Sequence, residues 1–153
     1  MRNLKKILAL ALALVMTLSL MTTANAFSDD KDFTAEYTEA ATVLSSLGVI
    51  KGYTDGSFAP KASITRAEVA AIIYRVVTGD VTDKSVSIHA AYNKFKDVPS
   101  THWAAGYIGY CANAELVKGN GDGTFDPEGK VTGYQALAMI LRAVGYDANG
   151  EFT

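Results

Sequence analysis

Lys51-Gly52-Tyr53-Thr54-Asp55-Gly56-Ser57-Phe58-Ala59-Pro60 is read again 67 residues later as Lys118-Gly119-Asn120-Gly121-Asp122-Gly123-Thr124-Phe125-Asp126-Pro127. At the same offset Ile64-Thr65 falls on Val131-Thr132, Ile73 on Ile140 and Arg75 on Arg142. Ten of the positions from 51 to 75 are identical across the offset, without a gap, which chance does not produce. Repetition on this scale means two copies of one supersecondary unit. They are expected over residues 27–79 and 95–148, joined by a polar stretch at 80–94. Neither copy is long enough to bury a full core alone, so the two should pack together.

Each unit reads as helix, structured loop, helix, and the fold class is therefore mainly all-α. Over Glu36–Leu47, Tyr37, Ala40, Ala41, Leu44 and Leu47 recur at helical spacing, and Gly48 follows as a C′ residue. Thr65 opens the second helix, with Glu68 three residues on to complete a capping box. Val69, Ile72, Ile73 and Val76 make its apolar stripe. In the second unit the stripes are Trp103, Tyr107, Ile108, Cys111 and Ala114, then Leu137, Ile140, Leu141 and Val144, with Thr132 and Gln135 repeating the box. Asp55-Gly56 and Asp122-Gly123 are turn dipeptides whose glycines need a left-handed backbone. Phe58 and Phe125 should tuck each loop onto its helices, and Pro60 and Pro127 fix the approach to the second helix.

The first 26 residues read as an address. Arg2, Lys5 and Lys6 precede the apolar run Ile7–Leu20, and Ala24-Asn25-Ala26 supplies the small residues of a cleavage position. That run falls short of the roughly 20 residues that cross a bilayer, so cleavage after Ala26 and no later membrane anchor are expected. Beyond it, 11 basic residues face 16 acidic ones, and no basic stripe invites a nucleic acid.

Chemistry-bearing clusters are sparse. Cys111 stands alone, on an apolar stripe, and can form neither an intrachain disulfide nor a cysteine-rich zinc site. His89 and His102 have no partner at metal or triad spacing. An EF-hand register on Asp122-Gly123 puts Lys118 and Gly129 where acids are required, and the first copy fails likewise at Lys51 and Ala62. No catalytic residue, metal site or cofactor is expected.

The units resemble S-layer homology repeats. The resemblance rests on Phe95-Lys96-Asp97-Val98-Pro99 leading to His102-Trp103-Ala104, on the loop Gly52–Pro60, and on Ile64-Thr65-Arg66-Ala67-Glu68, which matches the family's Thr-Arg-Ala-Glu signature. Phe27-Ser28-Asp29 is a shortened opening of the first repeat. The resemblance implies a pseudo-threefold bundle of repeats, located at the cell wall or cell surface, holding exported proteins by binding secondary cell-wall polysaccharide, often pyruvylated. It also implies that the signature arginine, Arg66, contacts the acidic ketal. A guanidinium suits a carboxylate, and an arginine at a helix N-terminus is unfavourable to the dipole unless something else needs it there. A solvated or salt-bridged arginine is the bland alternative.

In the second copy Thr132-Gly133-Tyr134-Gln135 lacks both Arg and Glu, so anion recognition is expected of the first copy alone. Thr65 and Glu68 cap a helix and are also candidates for sugar contact. Trp103 reads as core on spacing, yet aromatics also stack on sugar rings, and Asn120 is a further candidate for the groove. Residues 149–153, ending near Phe152, would open a third repeat. Either the sequence is a fragment or a third unit comes from oligomerisation, since a repeat that leaves its packing face bare is poorly soluble. The alternative function is a protein–protein or self-assembly module of a surface layer.

Overall fold

The computed structural model describes residues 27–145; the expected leader at 1–26 and third-repeat opening at 149–153 lie outside them. Four α-helices follow in order: α1 (Ala35–Ser46), α2 (Arg66–Thr78), α3 (Ala105–Asn113) and α4 (Gly133–Ala143). Two 3-10 segments, Asp30–Asp32 and Val86–Tyr92, precede α1 and α3. Among the described residues there is no strand, only an isolated antiparallel bridge between Thr65 and Lys130. The architecture is thus mainly helical, as the repeat pattern predicts.

The capping chemistry is where the sequence places it. Thr65 accepts from the Glu68 N–H at 3.1 Å while the Glu68 carboxylate accepts from the Thr65 N–H at 2.7 Å, and Thr132 with Gln135 does the same on α4. Gly56 and Gly123 take φ of 82° and 86°, the left-handed turn that a Cβ would disfavour.

The two loops share one scaffold. The Asp29 carboxylate accepts from the N–H groups of Phe58 and Ala59, and Asp97 accepts identically from Phe125 and Asp126. Each opening aspartate therefore clamps a loop some thirty residues downstream and holds Ala59 and Asp126 at positive φ ahead of the proline. Phe27, Phe33 and Phe58 form one aromatic cluster, and Phe95 meets the fully buried Phe125 at 5.2 Å.

The main core lies between repeats. Ala67, Ala70, Ala71, Ile73 and Tyr74 of α2 pack with Tyr107, Ile108, Cys111 and Ala112 of α3. Small residues on α2 admit the aromatics, with Tyr74 edge-on to both Tyr107 and Tyr110. Cys111 is buried, its thiol donates to the Ala70 carbonyl, and burial pushes its pKa up to about 12, as befits a core residue.

Two expectations are corrected. Tyr37, Leu44 and Leu47 of the first stripe are exposed, as are Val76 on α2, Leu137 and Ile140 on α4 and Val144 just past it; Met139 is buried instead. Periodicity identifies an apolar face, but no described element covers these. The stretch at 80–94 is also more than a polar joint. Its 3-10 segment lies against α3, with Val86 and Ala90 packed on the core. Gly106 and Gly109 make this possible: a Cβ there would meet the Val86 carbonyl oxygen at 2.0 Å or the His89 oxygen at 2.2 Å. Asp80 ties the stretch to α2, accepting from the Tyr74 hydroxyl, the Thr82 hydroxyl and the Ser85 N–H.

Gly109→Ala should therefore lower stability by about 1–3 kcal/mol, the usual cost of overpacking. Gly133→Ala, with open space around it, should leave the melting temperature unchanged or raise it; equal losses in thermal melts would contradict this packing. A second expectation concerns acid. Hydrogen bonds, first from the Ser85 N–H, hold the Asp80 carboxyl at about 2, below its ordinary 3.8. Its stabilisation is complete above the unfolded value and is lost as pH falls through the folded one. Melting temperature should decline between about pH 4 and 2, and Asp80→Asn should flatten that slope.

Candidate functional site

A groove of about 500 Å³ runs along the first loop and ends against the second repeat. Lys51, Tyr53, Phe58 and Pro60 form one side; Thr65, Glu68, Ile72 and Arg75 come from α2 and its cap; Trp103 and Glu128 come from the second repeat. The groove thus needs both copies.

Its electrostatics centre on Asp83. Arg75 grips that carboxylate with two bonds, Nε at 3.0 Å and Nη2 at 3.1 Å, and also donates to the Val49 carbonyl and the Tyr107 hydroxyl. The Lys51 ammonium meets the same carboxylate from the solvent side. Burial disfavours the Asp83 charge, but the bonds from Arg75 and Lys51 win and hold its pKa below the ordinary range. The same balance raises Arg75: burial opposes its charge and Asp83 outweighs it. Burial and the neighbouring Glu68 carboxylate push the Tyr53 phenol up, so it enters the groove as a neutral donor.

Trp103 is 54% exposed, which corrects the reading of it as core. It is nevertheless held. His102 stacks beside it at 5.9 Å and Tyr107 lies at 6.0 Å. The His102 Nδ1 accepts from the Ala104 N–H, which puts the proton of the neutral ring on Nε2, 3.3 Å from Glu128. A partly exposed indole held by its neighbours offers a surface for stacking a ring with polar edges.

Arg66 is elsewhere. It is 6% exposed and does not line the groove. Its Nε donates to the Phe125 carbonyl at 2.7 Å, its Nη2 to the Lys118 carbonyl at 2.8 Å, and the guanidinium lies 4.5 Å above the Phe125 ring. Burial pushes its pKa down, opposed by Asp126 and Asp97. Expected to meet a ligand, Arg66 here stands outside the groove, with two of its donors joining the repeats. Asn120 is also outside the groove, exposed in the second loop and donating to the Thr124 hydroxyl. Of the residues expected here, Thr65, Glu68 and Trp103 come together. Lys51 and Arg75 were missed, although both are among the residues identical in the two copies.

Among the described residues no group of His, Cys, Asp or Glu is arranged to hold a metal ion. Asp122 instead accepts from its own turn, from the N–H and hydroxyl of Thr124.

Tandem helix-loop-helix units sharing an inter-repeat groove define a class of helical repeat modules. The chain belongs to the S-layer homology domain family, whose model matches residues 26–70 and 94–137. It is 35% identical over 151 residues to a cell surface protein of Thermoanaerobacter kivui, covering 95% of this chain and 19% of that one. It is 38% identical over 143 residues to a surface layer protein of Brevibacillus choshinensis, covering 90% and 12%. A cellulosome-anchoring protein of Acetivibrio thermocellus is 39% identical over 83 residues, covering 54% and 18%. The chain spans under a fifth of the length of each of these relatives. No solved structure matches. These relatives place the chain at the cell surface, in a family of envelope anchors.

Arg66→Ala removes two charge-assisted bonds and leaves the carbonyl of the buried Phe125 unmet, which should cost on the order of 3 kcal/mol. Chemical denaturation checks this; an unchanged midpoint would return Arg66 to the ligand-contact role.

Proposed function

We propose that the chain anchors an exported protein to the bacterial envelope by holding secondary cell-wall polysaccharide in the groove beside the first loop. The observation that carries this reading is Trp103, oriented by His102 and Tyr107 yet half open to solvent in the groove that Tyr53 also lines. A sugar ring stacks its apolar face on the indole, and its hydroxyls meet Glu68, whose second oxygen is not used by the cap, and the Tyr53 phenol.

An acidic substituent such as a pyruvate ketal is met by Lys51 rather than Arg66. The ammonium is partly exposed and exchanges its Asp83 contact for the ligand, while Arg75 keeps Asp83 paired. The remaining acids of the chain do not forbid this, because charges beyond about 8–10 Å are largely screened at physiological salt. Export precedes binding, through the leader at residues 1–26. The proposed role involves no catalysis by this chain, in keeping with its spanning only 6% of a relative named amylopullulanase.

A self-assembly role is the second reading, favoured by the exposed apolar faces of α1 and α4. Retention on isolated wall polymer separates the two. Trp103→Ala should weaken retention on the order of tenfold while the far-ultraviolet spectrum stays unchanged. Undiminished retention, or binding to wall stripped of polymer, would refute the groove.

A further inference from the structure

The two loops part at Asn120-Gly121, a pair that neither the groove nor the helix caps use. The matching residues of the first loop are Tyr53 and Thr54, and there the Tyr53 carbonyl accepts from the Gly56 N–H at 3.0 Å. In the second loop no described residue donates to the Asn120 carbonyl, and the Gly121 N–H donates to no described residue. No hydrogen bond therefore fixes the peptide that joins them. Both residues are exposed, Gly121 stands at φ 88°, and a Cβ on it would meet nothing within 4 Å. The Asn120 side chain is held at its amide nitrogen, which donates to the Thr124 hydroxyl at 3.0 Å.

A neutral amide beside an unengaged glycine nitrogen in open space is set up to react with itself. Glycine has no side chain to obstruct closure of its nitrogen on the preceding side-chain carbon. The aspartate-glycine pairs of the two loops are held back. The Ser57 hydroxyl and N–H keep the Asp55 carboxyl below its ordinary pKa range, and those of Thr124 do the same for Asp122. Both side chains are thus anions, poor targets for a nucleophile, and the Gly56 N–H is already donated.

We infer that Asn120-Gly121 is a self-modification site, where the chain converts its own asparagine to aspartate and isoaspartate with water as co-reactant. The Gly121 nitrogen loses its proton to hydroxide and attacks the Asn120 Cγ. A C–N bond forms, the Cγ–Nδ2 bond breaks, and the side-chain nitrogen leaves as ammonia. Water then opens the cyclic imide. Breaking the new bond yields aspartate; breaking the original peptide bond yields isoaspartate, whose backbone runs through Cβ and Cγ and is longer by a carbon. Either product adds a negative charge near Asp122. The longer backbone also disturbs the loop whose Lys118 and Phe125 carbonyls hold Arg66, so the inter-repeat junction loosens as the chain ages. This inference is independent of the sugar reading, because Asn120 lies outside the groove.

Incubating the folded chain in mildly alkaline buffer, then mapping its peptides with detection of isoaspartate, tests this. The Asn120 peptide should convert on the order of tenfold faster than that of the exposed Asn113, which alanine follows, because glycine alone leaves ring closure unobstructed. Conversion should quicken as pH rises, since the attacking nitrogen must lose its proton. Peptide mapping keeps Asn149-Gly150, outside the described residues, separate from this site. Asn120→Gln, whose longer side chain closes a ring far less readily, should keep its chemical-denaturation midpoint through an incubation that lowers the parent's, with circular dichroism confirming that the variant is folded. Asn120 that persists as long as Asn113, or that converts only in denaturant, overturns the inference. An equal loss of midpoint in Asn120→Gln overturns its effect on the junction.

Discussion

The guanidinium of Arg66 is the contact around which the two repeats are arranged. A buried cation is tolerable only where its donors are met, and here backbone carbonyls and an aromatic face meet them. Those carbonyls belong to Lys118 and Phe125, whose loop is already fixed by Asp97 from the opposite side. The arginine therefore reads a preformed loop rather than shaping one. This fixes the start of α2, aligns its small-residue face with α3, and brings Trp103 and Glu128 to the edge of the first loop. The groove is a by-product of the junction.

A second ionic centre supports the far end of the same helix. Arg75 ties the C-terminal turn of α2 to Asp83, and Asp83 in turn holds Lys51. Groove and packing are thus not separable here. Lys51 belongs to the groove and to this network, and Tyr107 both supports the indole and accepts from Arg75. Of the charged residues at the groove, those most exposed are the ones free to change partners.

Most of the fold was legible because the chain states it twice. The loops, both capping boxes and the positive-φ glycines follow from local chemistry that each copy repeats. The site was less legible. Arg66 at a helix start contradicts the dipole preference, and no local pattern could show that its guanidinium meets a carbonyl pair more than fifty residues away. Trp103 shares the spacing of core residues, and spacing cannot say whether anything lies opposite. The 3-10 segment at Val86–Tyr92 escaped because its docking site is a pair of glycines on α3, where the signal is an absent side chain.

The stretch between the repeats is fastened at both ends. Asp80 and Asp83 bind it to α2, and its 3-10 segment lies in the glycine recess of α3. Tension applied along the polypeptide does not arrive at a slack tether that can uncoil at little cost. It arrives at ion pairs and packed backbone that must slide past one another together, so the repeats share the strain instead of peeling apart in turn.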